Sequence, residues 1–319
     1  MRIFIFLISL SSLLLTPVGW VQPIRTKLFS ELYGLEKNTK TESSTWYLEQ
    51  LKIHVDVPFV GEVEIRAGYF PASRKVPFRG NILYLEGLGD SMLNHKPLFE
   101  HLSGLGFRVI AFDYLGQGGS SGTMNHTRIK DAIYPSLNIS TYAQKVYQRY
   151  FRDGGTPEKI LMGWSTGGLA AYAMAYEGQA DRVILFAPGI VPRLVVGEYM
   201  KITKESLTSA IFEEGEDPHL DPIRPNSPVL VPLFATNLLK TSFQARHWRM
   251  PVTVRGLVFL GGEEDRYVFS RKTLKVLEKK APHFHVVQYE KARHEIDNEV
   301  AEIRQDVYRK LSSFLSSVP

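Results

Sequence analysis

From Asn81 onward, short runs of uninterrupted apolar residues alternate with stretches that repeat every three to four residues. The apolar runs fall at 82–85, 108–112, 159–162, 182–186, 256–260 and 284–289. Glycines or turn residues close several of them, so they read as buried strands rather than helix segments. Helical periodicity fills 97–105, 141–151, the stretch ending at Tyr176, and 301–314. Strands that are apolar on both faces and alternate with helices predict an α/β fold with a mostly parallel sheet covered on both sides. Chemistry on such a sheet sits at the carboxyl ends of the strands.

The pattern differs at the two ends of this block. Upstream, residues 45–70 alternate apolar and polar, as in Leu51-Lys52-Ile53-His54-Val55 and Val63-Glu64-Ile65, which predicts antiparallel strands. Between 188 and 251 no strand pattern is present. The segment at about 189–251 is expected to be a mostly helical lid inserted over the active edge of the sheet, with apolar clusters at 194–196 and 229–234. Those clusters suit either an acyl pocket or the packing of the lid onto the core. The domain is expected to run over 45–319.

Residues 1–22 form a separate feature. Met1-Arg2 precedes an apolar stretch broken at Pro17 and Gly19, which is the layout of a secretory signal peptide. An uncleaved membrane anchor fits the same residues, because no charge lies between Arg2 and Arg25. The expectation is an exported or membrane-anchored protein.

Composition narrows the chemistry. The chain has 319 residues and no cysteine, which excludes disulfides, thiol nucleophiles and cysteine-bound metals. The net charge of +5 comes from scattered Lys and Arg, with no basic block of the kind that binds nucleic acid. Association with an anionic membrane surface remains open, and oligomeric state is not encoded in any visible pattern.

Three loops carry the candidate site. Gly163-Trp164-Ser165-Thr166-Gly167 follows the third run and opens a helix, which is the strand–elbow–helix setting of a G-x-S-x-G nucleophile. A serine needs a base. His294, in Lys291-Ala292-Arg293-His294-Glu295 directly after the sixth run, is the candidate. The other histidines read as packed or surface groups, with a loose cation site conceivable at His219. A carboxylate must orient the base. Gly262-Glu263-Glu264-Asp265 follows the fifth run and offers Asp265, with Glu264 as the alternative. The Thr166 N–H and, from the loop Leu85-Glu86-Gly87-Leu88-Gly89, the Leu88 N–H are the candidate oxyanion donors. The chemistry needs no cofactor and no metal.

These motifs resemble the α/β-hydrolase superfamily, and within it the monoacylglycerol lipase and lysophospholipase group, a serine aminopeptidase-like family. The resemblance covers about 81–317. It rests on the Ser165 elbow, on Gly262-Glu263-Glu264-Asp265-Arg266, on Arg293-His294-Glu295-Ile296 with Asn298-Glu299, and on the turn from Asp113 to Ser120. The Asp113 turn is structural in the family. Two positions depart from it: Glu86-Gly87 stands where the group has His-Gly, and Leu115 where it often has Arg. The resemblance implies a lid and an acyl ester substrate, such as a monoacyl lipid. A peptidase or amidase with the same triad, and a non-catalytic binding protein on this scaffold, are the alternatives.

Overall fold

The computed structural model describes residues 27–28, 46–55, 61–130, 137–155, 157–193, 202–213, 215–221, 223 and 232–317. The apolar segment at 1–22 and the clusters at 194–196 and 229–231 lie outside these residues.

Among the described residues, nine strands build one sheet: β1 (Lys27–Leu28), β2 (Tyr47–Val55), β3 (Gly61–Phe70), β4 (Gly80–Leu85), β5 (Phe107–Phe112), β6 (Ile160–Trp164), β7 (Arg182–Phe186), β8 (Arg255–Leu260) and β9 (His285–Gln288). Their spatial order is β1-β2-β3-β5-β4-β6-β7-β8-β9. The first three strands pair antiparallel, and β3 joins β5 antiparallel. From β5 to β9 every pairing is parallel. All six apolar runs are therefore strands, in the mostly parallel arrangement that their two-sided hydrophobicity demands.

The helices are α1 (Lys96–Gly104), α2 (Ile139–Tyr150), α3 (Thr166–Tyr176), α4 (Lys204–Leu207), α5 (Pro232–Ala245), α6 (Ser270–Lys280) and α7 (Ala301–Ser316). Successive side chains of a strand point to opposite faces, and the core divides accordingly. Leu83, Leu161, Val183, Leu185, Val258 and Leu260 face one apolar cluster, which α2, α3, α5 and α6 cover. Ile82, Tyr84, Met162, Ile184, Phe186, Leu257 and Phe259 face the other, covered by α1 and α7. Helix α6 has no counterpart in the sequence reading. Its Lys-rich outer face leaves few core positions, of which Ser270, Thr273 and Leu277 are buried.

The insertion is only partly helical among the described residues. Helix α5 packs its Phe234 and Leu238 into the core. The described residues 202–213 and 215–221 instead form a strap with one short turn of helix, α4. It lies against the loop that follows β9, where the Glu295 N–H donates to Leu207 O and Thr208 Oγ1 donates to Asn298 O at 2.8 Å each.

Candidate active site

Strand β6 delivers Ser165 to the carboxyl edge of the sheet, and the chain turns into α3 one residue later. Ser165 has φ 53° and ψ −112°, a strained conformation for a residue with a side chain. The strain is held by neighbours: the Ser165 N–H donates to Phe186 O at 2.9 Å, and Ser165 O accepts from Gly189 N at 2.8 Å and Leu169 N at 3.0 Å. The turn is possible because nothing projects from Gly167. A Cβ there would come within 2.1 Å of Leu85 O, so the elbow lies directly against the backbone of the loop after β4.

Ser165 Oγ lies 2.8 Å from His294 Nε2, and His294 Nδ1 lies 3.0 Å from Asp265 Oδ2. The residues come from loops after β6, β9 and β8, in the order Ser165, Asp265, His294 along the chain. Asp265 is fully buried, and its other oxygen accepts from the Tyr267 and Val268 N–H groups at 2.9 Å each. The carboxylate is thus fixed before it meets the imidazole. Asp265 accepts a hydrogen bond from the His294 Nδ1–H, the tautomer that leaves Nε2 as an acceptor for the serine hydroxyl. Glu264 does not compete for this place. Its side chain is exposed and pairs with Arg293.

Trp164 ties two of these loops together. Its indole N–H donates to His294 O at 3.0 Å, and its ring centre is 5.2 Å from that of His294. A Cβ on Gly87 would fall 2.4 Å from the Trp164 ring, so the loop carrying Leu88 rests on the residue before the serine. Thr166 opens α3, where a helix leaves its first N–H groups unpaired. The Thr166 amide thereby adjoins Ser165, and the loop carrying Leu88 packs against Trp164 and Gly167 on either side of it.

Glu86, where the resembling family has histidine, is completely buried. Its Oε1 accepts from Tyr114 N at 2.8 Å and Gln117 Nε2 at 2.9 Å, while Gln117 also binds Gly87 O and Gly89 N. Glutamate and glutamine together fix the backbone on both sides of Leu88. Burial, followed by the nearby Asp113 and Asp90 carboxylates, raises the Glu86 carboxyl well above its ordinary range. Asp113 accepts from Met92 N at 2.8 Å, Gly119 N at 2.7 Å and Arg66 Nε at 2.5 Å, which is a supporting role as the motif implied. Leu115 simply packs into the core.

His219 is a paired core group rather than a cation ligand. Its Nε2 is 2.8 Å from Glu295 Oε2 and its Nδ1 is 2.7 Å from Asp217 Oδ1. Among the described residues no cluster of three or more metal-ligating side chains is present. Two carboxylate partners cannot be inferred from a single histidine in an acidic stretch, because Glu295 is distant in sequence. Burial depresses the His219 imidazole, but Glu295 and then Asp217 outweigh it and raise it to about 9. A raised value means that the folded state holds the proton more tightly. The stabilisation is therefore complete below the unfolded value of about 6.5 and is lost as pH rises through about 9. The wild type is expected to unfold at higher urea than His219→Gln near pH 6, by about 3 kcal/mol at most, with the gap closing by pH 10. A gap of constant size across that range would show that the ion pairs do not stabilise the strap.

A strained serine at a strand–helix elbow, with an imidazole and a buried carboxylate from the following loops of a parallel sheet, defines the α/β-hydrolase class. Residues 77–222 match the model of the family described as "Serine aminopeptidase, S33". The chain thus has the α/β-hydrolase fold, and the part of it over 77–222 is similar to that family.

Among solved structures, it is similar to a monoglyceride lipase from Saccharomyces cerevisiae, at 15% identity and a TM-score of 0.62, covering 88% of this chain and 99% of that one. It is similar to a Paleococcus ferrophilus monoacylglycerol lipase at 19% identity and a TM-score of 0.57, over 79% and 98% of the two chains. A carboxyl esterase from Bacillus coagulans gives 15% identity and a TM-score of 0.57, over 84% and 97%. A curated relative, the uncharacterized protein YfhR of Escherichia coli O157:H7, is 32% identical over 101 residues, which is 32% of each chain. The match thus spans about a third of that relative's length.

Proposed function

We propose that the protein is a serine hydrolase of carboxylic esters, with monoacyl lipids such as monoacylglycerol or lysophospholipid as its substrate class. The observation that carries the reading is the continuous hydrogen-bonded line from Ser165 Oγ through His294 to Asp265, set on a strained elbow. Ser165 Oγ attacks the ester carbonyl carbon while its proton passes to His294 Nε2. The developing oxyanion is held by the Thr166 and Leu88 N–H groups. The tetrahedral intermediate collapses, the C–O bond to the alcohol breaks, and His294 returns the proton to the departing oxygen. Water, activated by the same imidazole, then releases the fatty acid. No group beyond the chain's own residues is called for.

The ester preference is supported by the likeness to lipases and an esterase. The family model's own description supports a second reading, hydrolysis of an aminoacyl amide or peptide. A panel of p-nitrophenyl esters of increasing chain length, run beside monoacylglycerol, lysophospholipid and an aminoacyl p-nitroanilide, separates the two. Faster turnover of acyl esters, with one glycerol- or phosphate-bearing monoacyl lipid among the best substrates, is expected. Preference for the anilide would move the assignment to the amidase, and retention of a ligand without turnover would leave a binding protein. Export or membrane anchoring through residues 1–22 belongs to the same proposal, and cell fractionation of the full chain tests it.

A further inference from the structure

His95 lies outside the proposed triad, yet it is fully buried and both of its ring nitrogens meet carboxylates. Its Nε2 is 2.6 Å from Asp90 Oδ2, and its Nδ1 is 2.6 Å from Asp297 Oδ2. Asp90 ends the loop that carries Glu86, Gly87 and Leu88. Asp297 sits three residues after His294. The imidazole ring also packs against Trp164, with ring centres 5.5 Å apart, and Trp164 precedes the serine. One side chain therefore touches three of the four segments whose relative placement decides whether the triad and the oxyanion donors meet, the loop of Asp265 being the fourth.

We propose that His95 is a positioning residue that staples the Leu88 loop to the His294 loop, donating one ring N–H to Asp90 and the other to Asp297. The inference rests on the hydrolase reading, since it concerns how that site is assembled.

Ionised carboxylates only accept hydrogen bonds, so a histidine between two of them carries both protons and a positive charge. Burial alone would lower this imidazole, but Asp297 and Asp90 raise it well above the ordinary range. A further bond sets Asp90, and Asn298, next to Asp297, bonds across to the Asp90 side. Asn94 Nδ2 donates to Asp90 Oδ1 at 2.9 Å, and Asn298 Nδ2 reaches back to Asn94 O at 3.0 Å and to Glu295 Oε1 at 2.7 Å. A second crossing between the same two loops thus runs parallel to the staple. In a buried site both bonds are charge-assisted and short, which fixes distance and angle more tightly than packing alone.

A positioning role makes a specific kinetic claim. Misplacing a donor or base by about 1 Å costs up to about 100-fold in rate without much change in substrate binding. His95→Gln keeps one amide donor and loses the other. Its kcat on p-nitrophenyl butyrate, divided by active sites counted from the acylation burst, is expected to fall about 10- to 100-fold, with KM within about threefold. Asp90→Asn and Asp297→Asn each weaken one arm and are expected to give smaller losses. Those losses should largely vanish when either is added to His95→Gln.

A purely structural role would reduce the number of active sites and leave the rate per site unchanged, and that result would overturn the proposal. If His95→Gln does not fold, the two asparagine variants decide by the same per-site measurement. The proton NMR spectrum of the wild type supplies a readout independent of turnover. Two far-downfield imidazole N–H signals that are absent in His95→Gln but persist in His219→Gln are expected, and finding none that His95→Gln removes would also overturn it. A wild type that neither turns over esters nor labels at Ser165 would defeat the hydrolase reading instead, with the NMR result still judging the staple.

Discussion

Ser165→Ala is expected to lower ester turnover by roughly 10³- to 10⁶-fold while the protein stays folded. The hydroxyl is the only atom removed. No core contact is lost, and the strained backbone at the elbow is at least as accessible to alanine as to serine. The effect should be almost entirely in kcat, because the serine acts on the bond being broken and not on the acyl chain. His294→Ala is expected to fall into the same range, and Asp265→Asn to lose about 10⁴-fold by turning the imidazole to the wrong tautomer. Combining Ser165→Ala with His294→Ala should add little, since the residues act as a unit. A fluorophosphonate probe offers a direct check by labelling the wild type and sparing Ser165→Ala. Equal labelling of both proteins would remove Ser165 from the assignment.

The second large effect is on stability and comes from Arg66. This buried side chain bonds Asp113 Oδ2 through Nε at 2.5 Å and Ser91 Oγ through Nη2 at 2.7 Å, and it pairs with Asp221. Arg66→Met would leave two buried carboxylates without their cation. Breaking one side of such a network costs about 3–5 kcal/mol, because the stranded charges keep their desolvation penalty. Urea denaturation should show that loss as a shift in midpoint. Adding Asp221→Asn to Arg66→Met should recover part of it, which separates stranded charge from lost packing. A variant within about 1 kcal/mol of the wild type would mean that water reaches the carboxylates.

The sheet was readable because a parallel strand, buried on both faces, must be apolar along its whole length. The Val183–Phe186 and Leu257–Leu260 runs have no other stable use. The elbow at Ser165 was readable for a related reason, since the crowding at Gly167 permits nothing larger. Asp265 stood as first choice beside Glu264 in the sequence, and its distinguishing feature is the pair of backbone bonds from Tyr267 and Val268. Helix α6 escaped notice because it contacts the core through few positions. The network of Arg66, His95, Asp221 and His219 was invisible for a deeper reason. Each member is polar and reads as surface until a partner from dozens of residues away is placed beside it. Hydrophobic periodicity marks what is buried for being apolar and has nothing to say about charges buried in pairs.

The strap at 202–221 grips the triad's histidine loop through specific partners rather than lying loosely above it. Arg293 binds Glu205 O and Thr208 O, Glu299 binds Ser209, and Glu295 binds His219. The insertion is therefore not a cassette that can be exchanged to redirect substrate choice. A chimaera that imports another relative's cap would have to bring matching residues at 293, 295 and 299, or accept a loosened general base. Tolerated changes should then come in pairs across the seam, a residue at 293, 295 or 299 altering together with its partner on the strap.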